Sequence, residues 1–110
     1  MTKITVFKKP NGSIYGFTAK GHADKKSSAG NDIYCAYLSA LTQTACNGLE
    51  AVAKVNVKTV VSDGYLSARI SERDADDIRC RTILDTFALG ISSFKEEYPS
   101  YLQIFEEVQT

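Results

Sequence analysis

The 110-residue chain has one histidine, three cysteines, no excess charge of either sign and no long apolar run. Each scarcity excludes something. With 13 Lys and Arg against 13 Asp and Glu the formal net charge is zero, so the basic footprint of a dedicated nucleic-acid binder is missing. No segment reaches membrane-spanning length. The stretch from Met1 to Pro10 alternates apolar and polar residues where a signal peptide would have an unbroken apolar core. The cysteines are odd in number, and Cys35 and Cys46 stand about 16 Å apart along one expected helix, too far to bridge. A reducing cytoplasm fits that usage. Paired C-x-x-C and H-x-x-x-H spacings are absent, so neither a metal site nor a cofactor is expected.

What is present is ordinary globular material. A hydrophobic share of 44% and a charged share of 24% argue against global disorder, and the length suits one domain, residues 1–110. No repeat, linker or low-complexity tail interrupts it.

Lys3 to Lys8 reads as a strand, Pro10-Asn11-Gly12-Ser13 as a turn, and Ile14 to Lys20 as a second strand with Tyr15, Phe17 and Ala19 on one face. From Gly21 to Asn31 the composition turns small and polar, which predicts a mobile loop. A helix is expected from about Asp32 to Lys54, capped by Asn31 or Asp32. At about 100° per residue, Ile33, Tyr37, Leu41, Thr44, Gly48, Ala51 and Val52 form its core-facing arc, widened by Tyr34, Leu38, Ala45 and Leu49. Cys35, Ser39, Thr42 and Cys46 fall on the far side. That face is small and weakly polar, as a substrate groove or a close protein contact requires.

Val55 to Ser62 alternates as a strand, Asp63-Gly64 is a two-residue hairpin signal, and Tyr65 to Ile70 returns with Leu66, Ala68 and Ile70 on one face. Ser71 with Asp74 resembles a capping box, or Asp74 is itself the cap. A second helix carries Ile78, Leu84, Phe87, Ile91, Phe94 and Tyr98 and stops near Pro99. Tyr101 to Val108 is a closing strand. The order β-β-α-β-β-α-β predicts an α+β fold, a two-layer sandwich of two helices on one mainly antiparallel sheet.

Chemistry concentrates near the first helix. Cys35 lies off the apolar arc, near the expected positive helix end and close in sequence to His22, and both neighbours favour a thiolate. Cys46 and Cys80 are expected to pack as small hydrophobes. Asp32 either caps the helix or orients His22. Ser39, one turn after Cys35, either bonds the thiol or substrate or turns back to its own backbone.

Gly21-His22-Ala23, Asp32-Ile33-Tyr34-Cys35-Ala36 and the run from Ser39 to Glu50 closely resemble the bacterial ribosomal-processing cysteine protease family. The resemblance covers the whole chain, with its specific part between residues 21 and 50. It implies that His22 and Cys35 form a catalytic dyad, with Gly21, Asp32 and Ser39 at matching site positions. It further implies removal of an N-terminal extension from a large-subunit ribosomal protein precursor, after a pair of aromatic residues, with no cofactor. Tyr34 departs from the small aliphatic residue usual in that family. A symmetric homodimer is also expected, from the resemblance and from Tyr65, Tyr101 and Phe105 alternating onto a possible second sheet face. The expected mechanism uses first-turn N–H groups of the helix as oxyanion donors. Two rivals stand beside it: a non-catalytic ribosome-assembly module with a redox-sensitive or inert Cys35, and a thiol redox protein, against which the missing C-x-x-C counts.

Overall fold

A computed structural model describes residues 1–21 and 29–110, with side chains from residue 33 onward in the second stretch. The first hairpin pairs β1, Thr2–Lys8, with β2, Ile14–Lys20, placing Val6 opposite Phe17. Its turn needs a residue that tolerates positive φ, and Gly12 supplies φ 91° while the Asn11 side chain accepts a hydrogen bond from the Ser13 N–H at 3.0 Å.

The first long helix, α1, spans Ala29–Asn47 and runs on into a π-helical turn, Gly48–Val52, where the Ala53 N–H donates to the Gly48 carbonyl at 2.9 Å. Lys54 then leaves the helix in the left-handed region, φ 58°, and the Val55 N–H closes on the Leu49 carbonyl at 3.1 Å. Strands β3, Lys58–Ser62, and β4, Tyr65–Arg69, form the second hairpin around Asp63-Gly64. Ser71 caps a short helix α2, Glu72–Ala75, its hydroxyl accepting from the Asp74 N–H at 3.0 Å. Asp77 caps α3, Ile78–Glu97, by accepting from the Arg79 N–H at 2.9 Å. The last strand is β5, Leu102–Val108.

The strands form one five-stranded sheet in the order β3-β4-β2-β1-β5, antiparallel except for β1 and β5, which run parallel. The expected α+β arrangement of two long helices on a mainly antiparallel sheet is therefore present, with α2 and the π turn added. The helices cover one face, since Thr2, Ile4 and Val6 are buried while Lys3, between the first two, is exposed and Thr5, between the last two, is half-buried. Phe17 of β2 stacks on Phe87 of α3 at 4.4 Å, and Leu84, Ile91 and Phe94 complete that side of the core. Each such buried side chain contributes roughly 1.5–3 kcal/mol of transfer free energy. On the open face the Arg69 guanidinium sits 4.2 Å from the Phe7 ring centre, a cation–π contact.

Several expectations need correction. The buried arc of α1 is centred on Leu38, Ala45 and Leu49 and includes Thr42 and Cys46, whereas Ile33 and Val52 are 67% and 70% exposed. The arc is turned by about 100°, one residue's step, from the expected one. The cause is that α1 has two neighbours: Leu38 and Leu49 pack into the core against the sheet, while Tyr37 reaches Phe94 and Leu41 faces Gly90 on α3. One stripe cannot describe a helix wedged between a sheet and another helix. Ile78, at the first position of α3, is 74% exposed because the short α2 delays the buried part of that helix. Tyr101 does not join a second sheet face; it stacks on Tyr34 beneath the helices. Strand β3 begins at Lys58, three residues later than expected.

Candidate active site

The helices cover the central strands, but β3 lies at the sheet edge and all five of its residues are exposed. Between that hairpin and α1 a cleft of about 550 Å³ remains open. One wall is the α1 face made by Cys35, Ser39, Thr42 and Cys46, the four residues that the spacing placed together opposite the apolar arc. The opposite wall carries Thr59 and Val61 of β3 with Tyr65 and Leu66 of β4. The small, weakly polar face thus opens onto a groove, as its composition suggested, although Thr42 and Cys46 are also buried.

Cys35 is half-buried at this wall, and Ser39, one turn further on, is exposed beside it. Thr42 does not offer its hydroxyl to the cleft, because Oγ1 donates to the carbonyls of Leu38 and Ser39, both at 3.1 Å. Cys46 is a different thiol from Cys35 in its surroundings: burial pushes its pKa up, and the neighbouring Glu50 carboxylate adds to the effect. Cys80 is fully buried in α3, and burial followed by the charge of Asp77 raises its pKa too. Both therefore pack as small hydrophobes, as expected.

Gly21 closes one end of the cleft. Its φ is 90°, its N–H donates to the Gly64 carbonyl at 2.8 Å, and a Cβ there would lie 2.8 Å from the Met1 carbonyl oxygen. Only glycine suits that backbone and that close approach. The fold thus brings Gly21, Cys35 and Ser39 to one cleft. His22 and residues 23–28 of the loop expected to be mobile lie outside the described residues, as does the side chain of Asp32, whereas residues 29–31, expected in that loop, are helical.

The helix start differs from expectation. Because α1 begins at Ala29, Asp32 lies within its first turn and is not its cap, and Cys35 is the seventh helical residue. The first-turn N–H groups belong to residues 29–32, a turn away from Cys35, so the expected oxyanion donors do not adjoin it. Residues not singled out from the sequence are Gln43, which lines the wall between Thr42 and Cys46, and Asn47 and Glu50, which extend it past Cys46. The signal was available, since Glu50 follows Cys46 by four residues. Among the described residues no group of three or more His, Cys, Asp or Glu is placed to hold a metal, and no helix is long and apolar enough to cross a membrane.

A family model described as "Cysteine protease Prp" matches residues 1–103. Among solved structures, a ribosomal processing protease Prp from S. aureus with a covalently linked product peptide is 21% identical, with TM-score 0.86, covering 97% of this chain and 100% of that one. The same S. aureus protease with a substrate peptide gives 20% identity, TM-score 0.86 and the same coverage. SMU.848 from Streptococcus mutans is 26% identical with TM-score 0.82, and 99% of each chain is covered. No curated protein matches the chain.

Proposed function

The chain belongs to the cysteine protease Prp family and is a cysteine protease, and we propose that it removes the N-terminal extension of a large-subunit ribosomal protein precursor with Cys35 as nucleophile and His22 as general acid and base. The observation that carries the residue assignment is the cleft. Cys35 lines it together with Gly21, and His22 is the next residue in the chain. Of the three thiols, Cys46 and Cys80 are buried and held protonated, which leaves Cys35 as the one suited to attack. Membership of a protease family also sets aside the non-catalytic assembly module and the thiol redox protein.

In this mechanism the Cys35 thiolate adds to the scissile carbonyl and forms a tetrahedral oxyanion. The C–N bond then breaks as protonated His22 gives its proton to the leaving amine, which departs as the new N-terminus and leaves a thioester. Neutral His22 next takes a proton from water, whose oxygen attacks the thioester. Collapse of the second intermediate expels the thiolate and releases the product acid, which loses its proton to solvent, and His22 stays protonated for the next cycle. Asp32 orients His22, and Ser39 contacts the peptide from the turn beyond Cys35.

The substrate class rests on the similar S. aureus protein, described as a ribosomal processing protease and as a complex with a substrate peptide. A groove beside an exposed edge strand suits an extended peptide, which can satisfy its backbone on β3. The place of action is the cytoplasm, where ribosomal precursors are made. The active form is a homodimer, for which the exposed Phe105 on the open face of edge strand β5 supplies an apolar contact. Light scattering should then give twice the 12.1 kDa chain mass, and a monomer at every workable concentration would refute the dimer. The deciding experiment for the activity is incubation with the ribosomal precursor followed by intact-mass analysis. Loss of the extension with the wild type and not with Cys35→Ala is expected; an intact precursor would overturn the assignment.

A further inference from the structure

Among the described residues that line the cleft, Glu50 is the one with a formal charge. It is exposed. Lys8 pairs with Glu106, Lys9 with Asp76 and Arg79 with Asp77, so none of these three cations neutralises Glu50. Gln43 and Asn47 on its own wall and Thr59 on the facing wall are neutral and offer no formal charge to select a cation over an anion. Glu50 also sits in the π-helical turn, where the helix is widened by one residue, a feature that recurs at functional sites. Its field reaches into the wall, since it helps keep the Cys46 thiol protonated.

The position along the cleft sets which part of a peptide it meets. Fifteen residues of helix separate Glu50 from Cys35, or about 22 Å at 1.5 Å per residue. An extended peptide advances about 3.3 Å per residue, so that span is about six or seven residues. We propose that Glu50 is a specificity-determining residue that recognises a lysine or arginine side chain of the substrate, about six or seven residues from the scissile bond. This rests on the peptidase reading of the cleft.

The test separates the two. Synthetic peptides carry a Phe-Phe pair as the cleavage point and one Lys, Ala or Glu six or seven residues away, on either side, at otherwise identical sequence. Binding is measured by calorimetry to the Cys35→Ala chain and to Cys35→Ala with Glu50→Gln or Glu50→Lys. The expected result is that, on one side of the cleavage point, the Lys peptide binds about fivefold more tightly than its Ala counterpart and the Glu peptide more weakly. Added salt should shrink the difference. Glu50→Gln should bring the three affinities together, and Glu50→Lys should reverse their order. Equal binding of all three peptides to the Glu50 chain, or binding of none, would overturn the inference. Cleavage by the wild-type chain is read separately by mass spectrometry, so a charge preference without cleavage would fault the protease assignment alone.

Discussion

Tyr34 lies face to face with Tyr101, ring centroids 4.1 Å apart and planes 14° from parallel. Tyr98 and Phe94 meet the same ring edge-on at 5.0 and 6.3 Å. The residue just before Cys35 is thereby clamped to the end of α3 and to the segment entering β5. That box explains how a large ring occupies a position where the family usually has a small aliphatic one. Tyr34→Ala should destabilise the chain by about 2 kcal/mol, less than a fully buried ring because Tyr34 is only half-buried. Tyr34→Phe should keep most of that stability, since the rings make the contacts. Urea unfolding of both variants checks the contrast, and equal losses would show that the hydroxyl matters instead.

Alkylation should distinguish the thiols. Cys46 and Cys80 have raised pKa values, so at a given pH each holds less thiolate than an ordinary cysteine, and its rate should climb only in more alkaline solution. Cys35, on the cleft wall, should be modified first at neutral pH, and His22→Ala should slow it. Site-resolved mass spectrometry with iodoacetamide gives the order; simultaneous labelling of all three in the folded chain would remove the activated-nucleophile argument.

Gly21→Ala should damage stability and activity together. The new Cβ would face the Met1 carbonyl from a backbone at φ 90°, a strain of about 1–3 kcal/mol, at the residue preceding His22. A lowered melting temperature with a kcat/KM reduced at least tenfold is expected. Unchanged values for both would mean that the backbone at Gly21 does not hold the cleft's end.

Acid should act through Asp76. Hydrogen bonds from Lys9, Asn11 and Ser13 hold its carboxyl well below the usual carboxylate range, tying the first turn to the end of α2. A carboxyl whose folded pKa is depressed adds stability that is complete above its unfolded value, about 4, and that fades as pH falls toward the folded one. Asp76→Asn should therefore lower the melting temperature at pH 7, and the gap from wild type should close progressively below about pH 4. A gap independent of pH would assign the loss to packing.

Much of this was legible because it is local. The Asp63-Gly64 turn and the stop before Pro99 each follow from the backbone preferences of one or two residues and stand where those residues placed them, whereas Ser71 caps only the short α2 and the long helix is capped by Asp77. The cleft-facing set Cys35, Ser39, Thr42 and Cys46 was legible by spacing alone. The buried arc of α1 was not, because Tyr37 and Leu41 answer to α3 while Leu38 and Leu49 answer to the sheet, and periodicity cannot assign two stripes to two partners. Nor could spacing reveal the parallel contact of β1 with β5, which depends on strands at opposite ends of the chain.

That contact also sets an order of events. Strand β1 lies inside the sheet, with residue 2 paired to residue 102 and residue 8 to residue 108, so the first strand made cannot be fully paired until the last emerges. Contacts so distant along the chain are slow to form, because the closure entropy of the whole intervening chain comes first. Thr2 lines the cleft and the Met1 carbonyl packs against Gly21, so the groove's end is among the parts completed last. A chain still leaving the ribosome would carry a formed α1 yet have no finished groove beside it.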